Sequence, residues 1–93
     1  MIRSFGDKET AKVWKGDYSR KLPTEIQGLA LRKLRLINNA SFINELRAPP
    51  ANRLEKLKGD LEGYHSIRIN RQWRIIFQWE EGDAHNLKII DYH

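Results

Sequence analysis

Residues 64–92 read YHSIRINRQWRIIFQWEEGDAHNLKIIDY, and the alternation inside this stretch decides the fold. Trp73, Ile75, Phe77 and Trp79 fall on one face, and Arg74, Ile76, Gln78 and Glu80 on the other, which is the two-residue period of a β-strand. Ahead of it, Tyr64 to Ile69 alternates as well, with Ser66 and Arg68 against Ile67 and Ile69, and Asn70-Arg71-Gln72 supplies a turn. Behind it, Glu81-Gly82-Asp83 predicts a hairpin turn and Leu87 to Tyr92 a last strand. Arg53 to Leu57 is a shorter extended candidate, set off by a loop that Gly59-Asp60 and Gly63 punctuate. The expectation is an antiparallel meander of three or four strands.

Upstream of Pro49-Pro50, which interrupts regular hydrogen bonding, the period changes to that of a helix. Pro23, Thr24 and Glu25 suit the first turn, and Ile26, Leu29, Ala30, Leu34 and Ile37 make one apolar stripe, with Arg32, Lys33 and Arg35 mostly off it. Asn38 and Asn39 end this helix, and Phe42, Ile43 and Leu46 suggest one more short helical turn. A shorter helix is predicted after Asp7 as N-cap, through Ala11, Val13 and Trp14 to Gly16, and Asp17 to Leu22 reads as a connection. Met1 to Phe5 alternates weakly, as a short first strand would. Helices followed by a meander define an α+β fold, with the N-terminal helices packed on one face of a small antiparallel β-sheet. A chain of 93 residues has room for one core, so residues 1–93 are expected to form a single domain.

Composition narrows the functional classes. The chain has no cysteine, which excludes disulfides, thiolate metal sites and thiol nucleophiles. No apolar run approaches the ~20 residues of a membrane span, and Met1 to Glu9 has no apolar export segment, so a soluble, cytoplasmic protein is expected. Seventeen Lys and Arg against twelve Asp and Glu leave a net charge of +5, which favours polyanionic partners over membrane burial. His65, His85 and His93 are scattered and no carboxylate cluster supports them, so no metal or other cofactor is expected. His65 reads as a partly buried structural residue, and Trp14, Trp73 and Trp79 read as core before they read as base-stacking platforms.

The residues able to do chemistry gather late in the chain. Asp91-Tyr92-His93 brings together three groups capable of proton transfer or oriented hydrogen bonding. Lys58 precedes Gly59 in the loop beside the sheet, and Arg68 and Arg74 sit on strands joined by a tight turn. A half-buried Arg on a central strand needs an anion, and Asp91 and a phosphate both fit a guanidinium fork. Arg3, Arg53 and Lys56 could extend a positive face. A metal-free nuclease would work most simply on RNA, because the 2′-hydroxyl of the substrate is then the nucleophile. It needs a base at that hydroxyl, an acid at the leaving 5′-oxygen and positive charge on the phosphate.

The residues also carry a resemblance. Residues 49–83, PPANRLEKLKGDLEGYHSIRINRQWRIIFQWEEGD, with the terminal DYH, resemble the HigB-type toxins of the RelE/ParE superfamily. The LKGD, SIRIN, QWRI and DYH segments stand in that family's order and spacing, and MIRSF and the helical first half fit as well. The resemblance implies the toxin of a type II toxin–antitoxin system, an endoribonuclease (mRNA interferase) that cleaves mRNA in the ribosomal A site and so inhibits translation. It implies as partners a HigA-type helix-turn-helix antitoxin and the 70S ribosome with its mRNA, with operator DNA reached only through the antitoxin complex. The catalytic positions it carries over are Lys58, Arg74, Asp91, Tyr92 and His93, with Arg68 a weaker candidate; Arg68 joins Arg53 and Lys56 of the positive face as the RNA-binding candidates. In that scheme Arg74 stabilises the phosphate, Lys58 does so or assists proton transfer, Tyr92 positions the RNA, and Asp91 and His93 handle protons, with acid and base left open.

Some HigB members carry histidine where this chain has Glu55, so that position is either a substitute base or a lost function. Two other readings compete: a ParE-like poison of DNA gyrase, and a non-enzymatic RNA-binding or co-repressor protein. With DYH at the end of the chain, a C-terminal tag is expected to impair toxicity and an N-terminal tag to be tolerated.

Overall fold

The computed structural model describes residues 1–92. Four strands, β1 (Glu55–Lys56), β2 (His65–Arg68), β3 (Trp73–Glu80) and β4 (Asp83–Asp91), form one sheet in the order β1-β2-β3-β4, every neighbouring pair antiparallel. The β2–β3 turn is held by Asn70, whose Oδ1 accepts from the amides of Gln72 and Trp73, both at 2.8 Å. The β3–β4 turn has positive φ at both central residues, Glu81 (50°) and Gly82 (82°), the hand that matches strand twist in a two-residue hairpin. Strand β4 begins earlier than the expected Leu87. A bulge opposite Ile76–Gln78 puts Asn86 at φ 55° and breaks the alternation that would have revealed Ala84 and His85 as strand.

Helix α1 (Lys8–Trp14) starts at Asp7, whose Oδ1 accepts from the Thr10 amide at 2.8 Å, and helix α2 (Thr24–Asn39) starts after Pro23. The two helices pack on each other and on β3 and β4. Their Val13, Ile26, Ala30, Leu34 and Ile37 meet Ile67, Ile75, Phe77, Leu87 and Ile89 of the sheet in the core. The expected stripe is corrected at two positions. Leu29 is 36% exposed, whereas Lys33 is only 8% exposed, its amine donating to Oδ1 of Asn52 in the 3₁₀ turn Pro50–Asn52. That turn closes over one flank of α2 and buries what the helix alone would expose. The further turn after α2 is the 3₁₀ helix Ile43–Arg47, which buries Leu46 and leaves Phe42 in solvent. Trp14, Trp73 and Trp79 pack partly buried against the core, as their spacing predicted.

The first residues form no regular strand. They run parallel to β4 through two isolated bridges, Ile2 with Ala84 and Phe5 with Leu87, and α1 completes the cover when the Ile89 amide donates to the buried Thr10 Oγ1 at 2.9 Å. This hides the outer edge of β4, while the opposite edge is only the two-residue, charged β1, so neither edge offers a long template for aggregation. The Asp17–Leu22 connection is pinned by Ser19, whose Oγ donates to Glu9 at 2.5 Å while Gln27 bonds its backbone on both sides.

His65 faces the helices, stacked on Phe77 with centroids 5.9 Å apart. Burial, and secondarily the charge of Lys56, pushes its pKa below the ordinary histidine value. Because the unfolded chain then binds the proton more readily, stability is full above the ordinary value of about 6.5 and declines as pH falls below it. The melting temperature is expected to fall between pH 7 and pH 5, with a slope attributable to this residue no steeper than about 1.4 kcal/mol per pH unit. His65→Gln should flatten that part of the curve, which calorimetry at stepped pH would show.

Candidate active site

The sheet face turned away from the helices carries the candidate site, and strand alternation builds it. Ile75 and Phe77 enter the core, so Arg74, Ile76 and Gln78 of β3 point to the other side. Register adds Ser66 opposite Ile76, Arg68 opposite Arg74, Lys88 opposite Ile76 and Ile90 opposite Arg74. Glu55 of β1 lies opposite Ser66 and joins the same face. Ile76 is buried although it lies outside the core cluster, so the face has an apolar floor with charged walls.

Arg74 is the centre of this face. Its Nη1 donates to Glu55 Oε1 at 2.6 Å and more weakly to Ser66 Oγ at 3.4 Å, and its Cζ lies 4.6 Å from the centroid of the Tyr92 ring. The Arg74 side chain is 15% exposed and that of Glu55 48%. A pair so open to water on one side contributes less than about 1 kcal/mol, so Glu55 occupies the guanidinium without locking it. The cation over the Tyr92 ring fixes the plane of the fork and leaves further N–H groups toward a cleft of about 540 Å³ lined by Arg71, Gln72, Arg74 and Tyr92. Directly opposed like charges on neighbouring strands are unfavourable, and Arg68 opposite Arg74 is such a pair. Arg68 is turned to the Asn70 carbonyl at 2.9 Å and Arg74 to Glu55, so each finds a different acceptor.

Where the sequence offered Arg74 either Asp91 or a phosphate, its intramolecular carboxylate in the structure is Glu55. Asp91 stands opposite Trp73 in register, off the Arg74 face, and its Oδ2 accepts from Gln72 Nε2 at 3.0 Å. Tyr92 follows with its amide bonded to the Gln72 carbonyl at 2.7 Å, which places its ring beside Arg74. The structure thus brings together Arg74, Tyr92 and Glu55, with Asp91 at the adjoining strand end. Lys58 is exposed at the start of the 3₁₀ turn Gly59–Leu61 and, among the described residues, has no hydrogen-bond or ion-pair partner. Lys56 is exposed on β1, and Arg53 is exposed with a left-handed backbone, φ 46°. His93 lies outside the described residues. The sequence did not single out Gln72, Arg71 or Ser66; the position of Gln72 directly across the hairpin from Tyr92 was the available signal for it. Among the described residues, no three His, Asp or Glu side chains come together as a metal-binding group, and no helix is long and apolar enough to cross a membrane.

Comparison with known proteins places this geometry. Residues 3–93 match the family described as the RelE-like toxin of type II toxin–antitoxin system HigB. Toxin HigB-1 of Vibrio cholerae serotype O1 is 41% identical over 87 residues, covering 92% of each chain. Endoribonuclease HigB of Proteus vulgaris is 37% identical over 93 residues, the full length of both. Among solved structures, the YoeB–YefM toxin–antitoxin complex of Staphylococcus aureus contains a chain that superposes with a TM-score of 0.62 at 20% identity, covering 100% of this chain and 98% of that one. A YafQ mutant from E. coli gives 0.55 at 19% identity over 94% and 89%. The open-faced sheet around Arg74 is therefore carried on a RelE-like α+β fold, and the chain belongs to the HigB family of toxins of type II toxin–antitoxin systems.

Proposed function

We propose that this chain is a ribosome-dependent, metal-independent mRNA endoribonuclease that cuts the message in the ribosomal A site and is neutralised by a HigA-type helix-turn-helix antitoxin. The observation that carries the reading is the Arg74 fork, aligned by the Tyr92 ring and already holding a carboxylate oxygen at 2.6 Å on an open sheet face. A scissile phosphate presents the same kind of acceptor, so RNA would take the place of Glu55. Tyr92 offers its ring edge to a base or ribose. Lys58, in the loop beyond β1, adds positive charge or assists proton transfer, and Asp91, at the end of β4, and His93 handle protons. Arg68, Arg53 and Lys56 hold the backbone on either side. A cleft this open cannot by itself fix an RNA in line for attack by its 2′-hydroxyl, and the ribosome supplies that alignment. The endoribonuclease name of the full-length Proteus vulgaris relative and the toxin–antitoxin complexes among the fold neighbours support the assignment. Operator DNA would be met only through the antitoxin.

The test is cleavage of a defined mRNA with and without programmed ribosomes, by toxin stripped of metal with EDTA and then exchanged into magnesium-containing ribosome buffer. Cuts at the A-site codon that require ribosomes and persist after the stripping are expected. Cuts on free RNA would remove ribosome dependence, cuts lost on stripping and restored by a transition metal would remove the metal-free mechanism, and no cuts by folded protein would redirect attention to DNA gyrase.

A further inference from the structure

A second concentration of positive charge lies around the β2 end from Arg74. A cleft of about 350 Å³ between α2, the Pro50–Asn52 turn and the end of β2 is lined by Leu29, Lys33, Ala51, Arg53, Arg68 and Ile69. Three of these six are cations and none is an acid. Lys33 is 8% exposed, and its described acceptor is the neutral Asn52 Oδ1. The Asn52 amide is turned by bonds from Nδ2 to the carbonyls of Leu46 and Ala48, both at 3.2 Å, so its oxygen is aimed at the lysine by the fold. A lysine so enclosed holds its charge poorly, and burial does lower its pKa. Arg53 adopts φ 46°, costly for a non-glycine residue, at the mouth of the same cleft. Arg68 lines the cleft and also stands directly opposite Arg74, so the two charged regions are continuous.

Resting on the RNA-cleaving reading, we propose that the Lys33–Arg53–Arg68 cleft is a second phosphate site that takes a backbone phosphate of the same RNA strand engaged at Arg74. A phosphate there supplies the counter-charge that Lys33 lacks, accepts the fork of Arg53, and sets the strand's path around the end of β2.

The probes are inorganic phosphate and a short single-stranded RNA made uncleavable by 2′-deoxy substitution, titrated into ¹⁵N-labelled antitoxin-free protein. RNA is expected to shift the amides of Ala51–Arg53 and Arg68–Ile69 together with those of Gln72–Arg74, with phosphate alone reaching the first two groups more weakly. Arg53→Asn keeps a residue that tolerates the left-handed backbone. It should weaken RNA binding roughly three- to tenfold and flatten the dependence of log K on log salt by about 0.7, the share of one single-strand phosphate contact. Lys33→Met should act in the same direction, and Arg53→Asn, at an exposed position, keeps the test valid if the buried substitution unfolds the chain. Wild-type RNA affinity in Arg53→Asn, with affinity lost in Arg74→Met, overturns the second site and leaves the first intact. Unchanged affinity in both variants overturns the RNA reading itself. Cleft shifts with inorganic phosphate but not with RNA overturn the assignment to the RNA strand.

Discussion

Arg74→Met is expected to lower single-turnover cleavage on programmed ribosomes about 10²–10³-fold, the cost of removing one preorganised donor from a developing anionic centre. The effect should be almost entirely functional. The Arg74 side chain is 15% exposed and its partner Glu55 48%, so the orphaned carboxylate stays hydrated and the fold should lose no more than about 1 kcal/mol. Arg74→Lys retains charge but loses the planar fork and the face contact with Tyr92, 4.6 Å away, and should recover only a fraction of the rate. Glu55 then separates two mechanisms. If it only occupies the guanidinium, Glu55→Gln tightens RNA binding about two- to threefold with cleavage maintained, since an exposed pair is weak. If it is the base replacing the family's histidine, the same variant binds RNA normally and loses about 10²-fold or more in rate. Cleavage by Arg74→Met within threefold of wild type would end the phosphate role.

How much of this was legible follows the range of each interaction. The meander could be read because Trp73–Glu80 alternates and Glu81-Gly82 turns with the right hand, both local properties. The proximity of Arg68 and Arg74 was equally readable from the tight Asn70–Gln72 turn. Lys33 was misplaced because its burial comes from Asn52, 19 residues away, through a turn whose docking no helical period encodes. The start of β4 was hidden by the bulge at Asn86, which shifts the period by one. The partner of Arg74 was open for a similar reason. A register change of one residue in β1 or β4 exchanges the faces of Glu55 and Asp91, and neither strand's sequence fixes that register alone. The role of Lys58 needed the family's pattern, since its exposed loop position gives it no hydrogen-bond or ion-pair partner among the described residues.

His93→Ala is expected to reduce cleavage by about 10²–10⁴-fold, the range for a positioned proton donor or acceptor. Cleavage through the 2′-hydroxyl leaves a 5′-oxygen that must be protonated as it departs, and phosphate neutralisation by Arg74 and Lys58 does not meet that need. Imidazole is the side chain whose ordinary titration lies between pH 5 and 8, so it can donate at one step and recover the proton at neutral pH. His93 follows Asp91 and Tyr92, which the structure holds at the end of β4 through Gln72, one by its carboxylate at 3.0 Å and the other by its amide at 2.7 Å. The variant should therefore fold and bind antitoxin as wild type does. An RNA with sulfur in place of the 5′-oxygen leaves as a thiolate without needing a proton. If His93 is the acid, most of the loss disappears on that substrate, and the acid-dependent limb of the pH–rate profile vanishes on the normal one. A loss equal on both substrates assigns His93 to the 2′-hydroxyl as base and leaves protonation to Asp91 or Tyr92. Undiminished cleavage on both removes His93 from the chemistry.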